Sequence, residues 1–213
     1  MKKSNTSLWL IFSVLLIAAV ACSSGTGGAT TAAQVGANAP VDPKAAVQSS
    51  MKKQMELPAY RGTIVGEYNG KTSTTTVEYS APDRYHVKND TVEAILIAKT
   101  TYIKLSGVWS KMNIDLTSMI NSFRNPQLLQ TGLTNIMYAG SESLNGTATD
   151  VYTFTSSADF NGSKLSANSK IWISRLDSLP AKMEVSAQVN GTSTLSTITY
   201  EYPTSISIEP PIK

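Results

Sequence analysis

Among the 213 residues of this chain there is one cysteine, Cys22, and one histidine, His86. A single thiol cannot close an intramolecular disulfide or build a cysteine-based metal cluster, and a single imidazole cannot supply a histidine-rich metal site. A Ser/His/Asp relay would need partners gathered around His86. That residue stands between Tyr85 and Val87 on the polar parity of a predicted strand, and it reads as a solvated strand histidine. Glu67 and Glu78 could approach across one hairpin as an acid/base pair, although on an exposed strand face such carboxylates serve as solubilising charge. No glycine-rich loop follows a strand and opens a helix, so a nucleotide phosphate has no cradle. Trp109 and Trp172 could stack on a ligand, but rim or core packing is their plainer use. These readings describe a protein that is not an enzyme and that needs no cofactor and no metal.

Cys22 gains meaning from what precedes it. Lys2 and Lys3 form a positive start, Leu8 to Val20 form an apolar run too short and too N-terminal for a stop-transfer helix, and Ala19-Val20-Ala21 are small. Residues 1–21 therefore read as a signal peptide. The pattern resembles the bacterial lipobox, with Ala19 standing where leucine is commoner. In that motif the thiol takes a diacylglycerol, the preceding bond is cut and the cysteine becomes the new N-terminus. The resemblance implies lipid attachment at Cys22, and hence an exported protein anchored to the membrane with its domain on the extracytoplasmic side of a bacterial envelope. Each buried acyl methylene contributes about 0.8 kcal/mol, so two acyl chains hold a protein at a membrane stably. No apolar stretch after Val20 approaches spanning length. Losing residues 1–21 removes two lysines and no acids, which lowers the net charge from +3 to about +1. A near-neutral surface without clustered Lys or Arg argues against nucleic acid as a partner.

The elements that would position any site follow in chain order. Residues 22–41 are rich in Ser, Gly, Thr and Ala, cannot bury a core, and read as a flexible tether. Asp42-Pro43 is a helix start, with aspartate as N-cap and proline at the first helical position; Ala46, Val47, Ser50, Met51 and Met55 recur at helical spacing, and Leu57-Pro58 ends the run. Residues 42–213 suffice for one compact domain. From Tyr60 onward the period changes to two, and strands are predicted through Tyr60–Tyr68, Glu78–Lys88, Val92–Ala98, Thr101–Leu105, Val108–Met112, Asp150–Thr155, Lys170–Ser174, Ala181–Val189 and Leu195–Tyr202. Four Asn-Gly dipeptides, at 69–70, 145–146, 161–162 and 190–191, mark tight hairpin turns. One segment breaks the pattern. Leu116, Met119, Ile120 and Phe123 share a helical face, Pro126 interrupts, and Leu128, Leu129, Leu133, Ile136 and Met137 resume apolar spacing, which predicts a broken helix pair over the sheet. That face either plugs the sheet or leaves an apolar cavity beneath it, for which Met119, Met137 and Met183 would be an adaptable lining.

The order of these elements carries a resemblance, together with Tyr60-Arg61-Gly62, Ala81-Pro82-Asp83-Arg84-Tyr85-His86-Val87, Thr101-Tyr102-Ile103-Lys104, Gly107-Val108-Trp109-Ser110-Lys111-Met112, Lys170-Ile171-Trp172-Ile173 and Leu179-Pro180-Ala181-Lys182-Met183-Glu184. The chain resembles the LolA/LolB-like superfamily, and within it the LppX/LprG-type envelope lipoproteins. The resemblance implies an α+β, mainly β fold in which a large curved antiparallel sheet, a half-barrel, is closed on its concave side by helices. It also implies an apolar interior that takes acyl chains of lipids or lipoproteins. Ile64, Leu116, Met119, Ile120, Phe123, Leu129 and Leu133 are the residues expected to line such a cavity. The alternative is an envelope interaction or stress-sensing protein that uses the same scaffold to bind a protein partner.

Metabolic labelling with a palmitate analogue checks the anchor. Cys22→Ser is expected to abolish labelling and release the protein from membranes, and equal labelling of both forms would remove Cys22 as the attachment site.

Overall fold

The computed structural model describes residues 42–68, 71–112, 132–160, 163–189 and 192–212. Helix α1 spans Pro43–Glu56, and its boundaries have local causes. The Asp42 side chain accepts a hydrogen bond from the Ala45 amide at 3.0 Å, Pro43 occupies the first turn, and Leu57 is already extended ahead of Pro58. Eleven strands follow: β1 (Ala59–Tyr68), β2 (Lys71–Ser80), β3 (Arg84–Lys88), β4 (Glu93–Ile97), β5 (Thr100–Leu105), β6 (Val108–Met112), β7 (Leu133–Leu144), β8 (Thr147–Phe160), β9 (Ser163–Ser174), β10 (Pro180–Val189) and β11 (Thr192–Glu201).

All of them belong to one antiparallel sheet in the order β6-β5-β4-β3-β2-β1-β11-β10-β9-β8-β7, which is not closed into a barrel. In sequence, each of the four Asn-Gly pairs falls between two consecutive strands, β1 and β2, β7 and β8, β8 and β9, and β10 and β11, and the pair at 145–146 lies among the described residues. Asn145 (φ 51°) and Gly146 (φ 83°) show the reason: both central residues of this hairpin are left-handed, which asparagine tolerates and glycine adopts freely. Ser106 and Gly107 repeat the geometry between β5 and β6.

One expectation is corrected. Leu133, Ile136 and Met137 do not extend a helix; they begin strand β7. The register of β7 against β8 slips between Thr134 and Met137 and again between Tyr138 and Gly140, and Asn135 has φ 53°. An extra residue in a bulge stretches the two-residue period, so inward-facing positions fall three apart and imitate helical spacing. Residues 113–131, between the two edge strands in sequence, lie outside the described residues, as does the predicted helical face of Leu116, Met119, Ile120 and Phe123.

Helix α1 lies on the inner face of the sheet, against β7 and β10. Val47 is fully buried there among Tyr152, Phe154, Ile171, Met183, Val185 and Ile198. Burying an aliphatic side chain of this kind contributes about 1.5–3 kcal/mol. Polar ties fix the helix's end: Lys53 Nζ donates to the Asp177 carbonyl at 2.6 Å, and Gln54 Nε2 donates to the Tyr202 hydroxyl at 3.2 Å. Ser50, also buried on this face, has no hydrogen-bond partner for its hydroxyl among the described residues.

A buried hydroxyl without a partner carries its full desolvation cost. Ser50→Ala is therefore expected to hold or raise stability, by up to about 1 kcal/mol in urea denaturation, whereas a clear loss would reveal a partner for the hydroxyl.

Candidate functional site

The inner face of the sheet carries two apolar regions. One gathers Val47, Leu133, Tyr152, Phe154, Ile171, Met183, Val185 and Ile198, with Ile64 and Tyr200 half-buried against it. The second gathers Tyr79, Tyr85, Val92, Leu96 and Ile103, with Tyr60 and Met112 beside it. Tyrosines mark one end of this surface. Tyr85, Tyr79 and Tyr60 face one another across β3, β2 and β1 with ring centroids 5.1 and 5.4 Å apart, and Tyr200 and Tyr202 stack at 6.4 Å on β11 and just beyond it. Every buried polar residue among those described is a serine or a threonine, and Thr75, Thr101, Ser169 and Ser196 all face inward. The phenols add no charge. Burial pushes Tyr152 up to about 12, with Asp150 and Tyr138 adding to it, and burial raises Tyr200 and Tyr202 further. The Tyr202 hydroxyl donates to the Pro180 carbonyl instead.

The described inner face is thus apolar, with hydroxyls as its buried polar groups. Among the described residues no carboxylate, imidazole or amine is buried. Of the expected cavity residues, the structure brings Ile64 and Leu133 together on the inner face. Leu116, Met119, Ile120, Phe123 and Leu129 lie outside the described residues, as does Cys22. Met183 faces inward as expected, but Met137 points outward and is 61% exposed, because the β7 bulge rotates it to the other face.

The architecture has relatives among solved structures. Mycobacterium tuberculosis lipoprotein LppX superposes with a TM-score of 0.56 at 18% identity, over 75% of this chain and 93% of that one. LprF from Mycobacterium bovis gives 0.58 at 14% identity, over 80% of this chain and 97% of that one. This chain has the LolA/LolB-like fold. The likeness lies in the fold, since no protein-family model matches the sequence and no curated protein does.

In this LolA/LolB-like sheet the outer face is built on different chemistry. A row of alternating charge crosses six strands, from β11 through β1 to β5, and ends on Trp109 of β6. Arg61 holds Glu201 at 2.9 Å and Glu78 at 2.8 Å, while Glu78 meets His86 Nδ1 at 3.0 Å. His86 Nε2 meets Glu93 at 3.1 Å, Glu93 meets Lys104 at 3.1 Å, and the Lys104 ammonium sits 5.5 Å from the centre of the Trp109 ring. His86 is thus not a freely solvated strand residue; it bridges two carboxylates. Carboxylate oxygens only accept, so the bridge is complete on both sides when both ring nitrogens carry hydrogen. Nor do Glu67 and Glu78 pair, because Glu78 stands opposite Arg61 and Glu67 opposite Thr72. On the same face Trp172 donates to Glu142 at 2.7 Å beneath Lys170 and Lys182, each 4.4 Å from its ring centre, which is packing rather than an open stacking platform.

Burial opposes ionisation of Glu78, but hydrogen bonds from His86 and Arg61 outweigh it and hold the carboxyl below its ordinary value of 4.5. Burial likewise opposes ionisation of Glu93, which Lys104 and His86 lower overall. A carboxyl depressed in the folded state stabilises the fold above its unfolded value and loses that contribution as pH falls through the folded value. Stability is therefore expected to decline on acidification below pH 4.5. Glu78→Gln should be less stable than wild type at neutral pH and show a flatter acid limb in denaturation midpoints, and an unchanged acid limb would contradict this assignment.

Proposed function

We propose that this protein is a non-enzymatic, membrane-anchored envelope lipoprotein that binds or carries a hydrophobic ligand, the acyl chains of a lipid or lipoprotein, against the inner face of its half-barrel. In this reading residues 1–21 are the signal peptide, Cys22 bears the lipid, residues 22–41 are the tether and residues 42–213 form the binding domain. The observation that carries it is the inner face itself, a wide apolar face whose buried polar groups among the described residues are all hydroxyls, with α1 packed against β7 and β10. Leu116, Met119, Ile120, Phe123 and Leu129 would supply the rest of the cover. The fold shared with LppX, itself a lipoprotein, supports the reading. Affinity would come from apolar area at about 25 cal/mol per Å² removed from water, offset by the cost of ordering a flexible ligand.

A partner-binding role has one observation in its favour. An open groove of about 360 Å³ on the outer face is lined by Thr153, Asn168, Lys170 and Glu184 together with Met137 and Leu195, which are 61% and 52% exposed.

Native mass spectrometry of the full chain purified from its own host is expected to show co-purified lipid. A fluorescent fatty-acid displacement titration, run on the Cys22→Ser chain for solubility, should show saturable uptake. Ile64→Gln, at a half-buried inner position, should weaken uptake while denaturation still shows a cooperative fold. Absence of saturable uptake of any long-chain lipid would remove the carrier reading and leave partner binding.

A further inference from the structure

The outer face of the described strands is mostly polar, and one of its apolar patches is covered by the chain itself. On β4 and β5 the outward residues Ile95, Ile97 and Tyr102 form a patch with Trp109 of β6, although the inward residues of β4 and β5 already serve the core. Residues 203–212, which follow β11, lie across this patch without regular secondary structure. Their attachment is concentrated in consecutive positions. The Ile208 side chain is 3% exposed between Ile95 and Tyr102, the Ile208 carbonyl accepts from Arg84 Nη1, and Glu209 pairs with the same guanidinium at 3.3 Å. Ile206, two residues earlier, adds a second, partly buried contact, while Ser205, Ser207, Glu209 and Pro210 are exposed. Among the described residues no backbone-to-backbone hydrogen bond ties this segment to the sheet.

An apolar anchor in a pocket, a side-chain clamp on the anchor's carbonyl and an acid on a guanidinium are the elements by which folded domains read extended peptides. Here the peptide is part of the chain. We propose that the patch on β3–β5 is a recognition groove for an extended segment with two β-branched apolar residues at alternate positions followed by an acid, and that residues 203–212 occupy it in cis. The partner is a protein segment of that pattern, which competes with the strap. Charge complementarity favours an acid after the anchor, because among the described residues Glu209 is the carboxylate that pairs with Arg84. The groove lies on the face opposite the proposed lipid surface, so its test stands apart from that reading.

The experiment uses the full chain carrying Cys22→Ser and a fluorescein-labelled synthetic peptide copying residues 203–212. Wild type, whose groove is filled, should bind weakly. The double variant Ile206→Ser/Ile208→Ser, with its strap loosened, should bind saturably and at least about tenfold more tightly, and adding Arg84→Ala should cost about tenfold. Equal binding by wild type and the double variant, or no binding by a double variant with a native circular dichroism spectrum, would overturn the proposal. Failure of the double variant to fold would do the same, since a strap integral to the core cannot be displaced. A wild-type chain forming a concentration-dependent dimer that Ile208→Ser abolishes would assign the groove to a second copy instead of a foreign segment.

Discussion

The pairing of β1 with β11 is the contact on which the rest of the structure depends. It joins Arg61 to Glu201 and Ile64 to Ile198 across most of the domain's length, whereas the other ladders connect strands consecutive in sequence. Without it the chain would be two separate meanders, β1 to β6 and β7 to β11, each with a half-covered apolar face. With it, the two inner regions become parts of one surface, and the outer charge row runs unbroken because Arg61 reaches a carboxylate on either side. Closing so long a loop is entropically costly, and burial of matched faces along the whole β1–β11 ladder offsets that cost.

Strand parity then divides the chemistry. Side chains alternate across the sheet, so one run of sequence supplies both an apolar, hydroxyl-lined interior and a charged exterior. The alternation fails where both faces are covered. Ala94-Ile95-Leu96-Ile97 is apolar throughout because its inner side belongs to the core and its outer side lies under residues 203–212. A continuous apolar run in an otherwise alternating antiparallel sheet thus marks a strand with something on each face, and here that covering segment has no secondary structure of its own.

The parts of the fold legible in sequence were those governed by neighbours in the chain. The Asp42-Pro43 helix start, the Leu57-Pro58 stop and the Asn-Gly turns rest on local dihedral and capping preferences, and the structure places the helix ends and the strand junctions where those preferences put them. The face on which Ile64, Tyr60, Tyr79 and Met183 lie was legible for the same reason. Strand β7 was not, because its bulges convert a two-residue period into one that looks helical, and a bulge forms only against the partner strand whose register it interrupts.

The histidine shows where sequence reasoning ends. Parity put His86 on the polar face, and that much could be read from Tyr85 and Val87. Its engagement by Glu78 and Glu93 depends on the registers of β2, β3 and β4 together, with Arg61 and Lys104 one strand further out on either side. By itself the sequence determined the helix ends, the turn positions and, outside β7, the division into two faces, because each follows from interactions within a few residues. The tertiary structure alone decided the partners: β1 with β11, His86 with two carboxylates, and Ile208 with Ile95 and Tyr102. Each of those pairings joins residues whose local preferences are satisfied equally well without it, so only the register and packing of the whole sheet could select them.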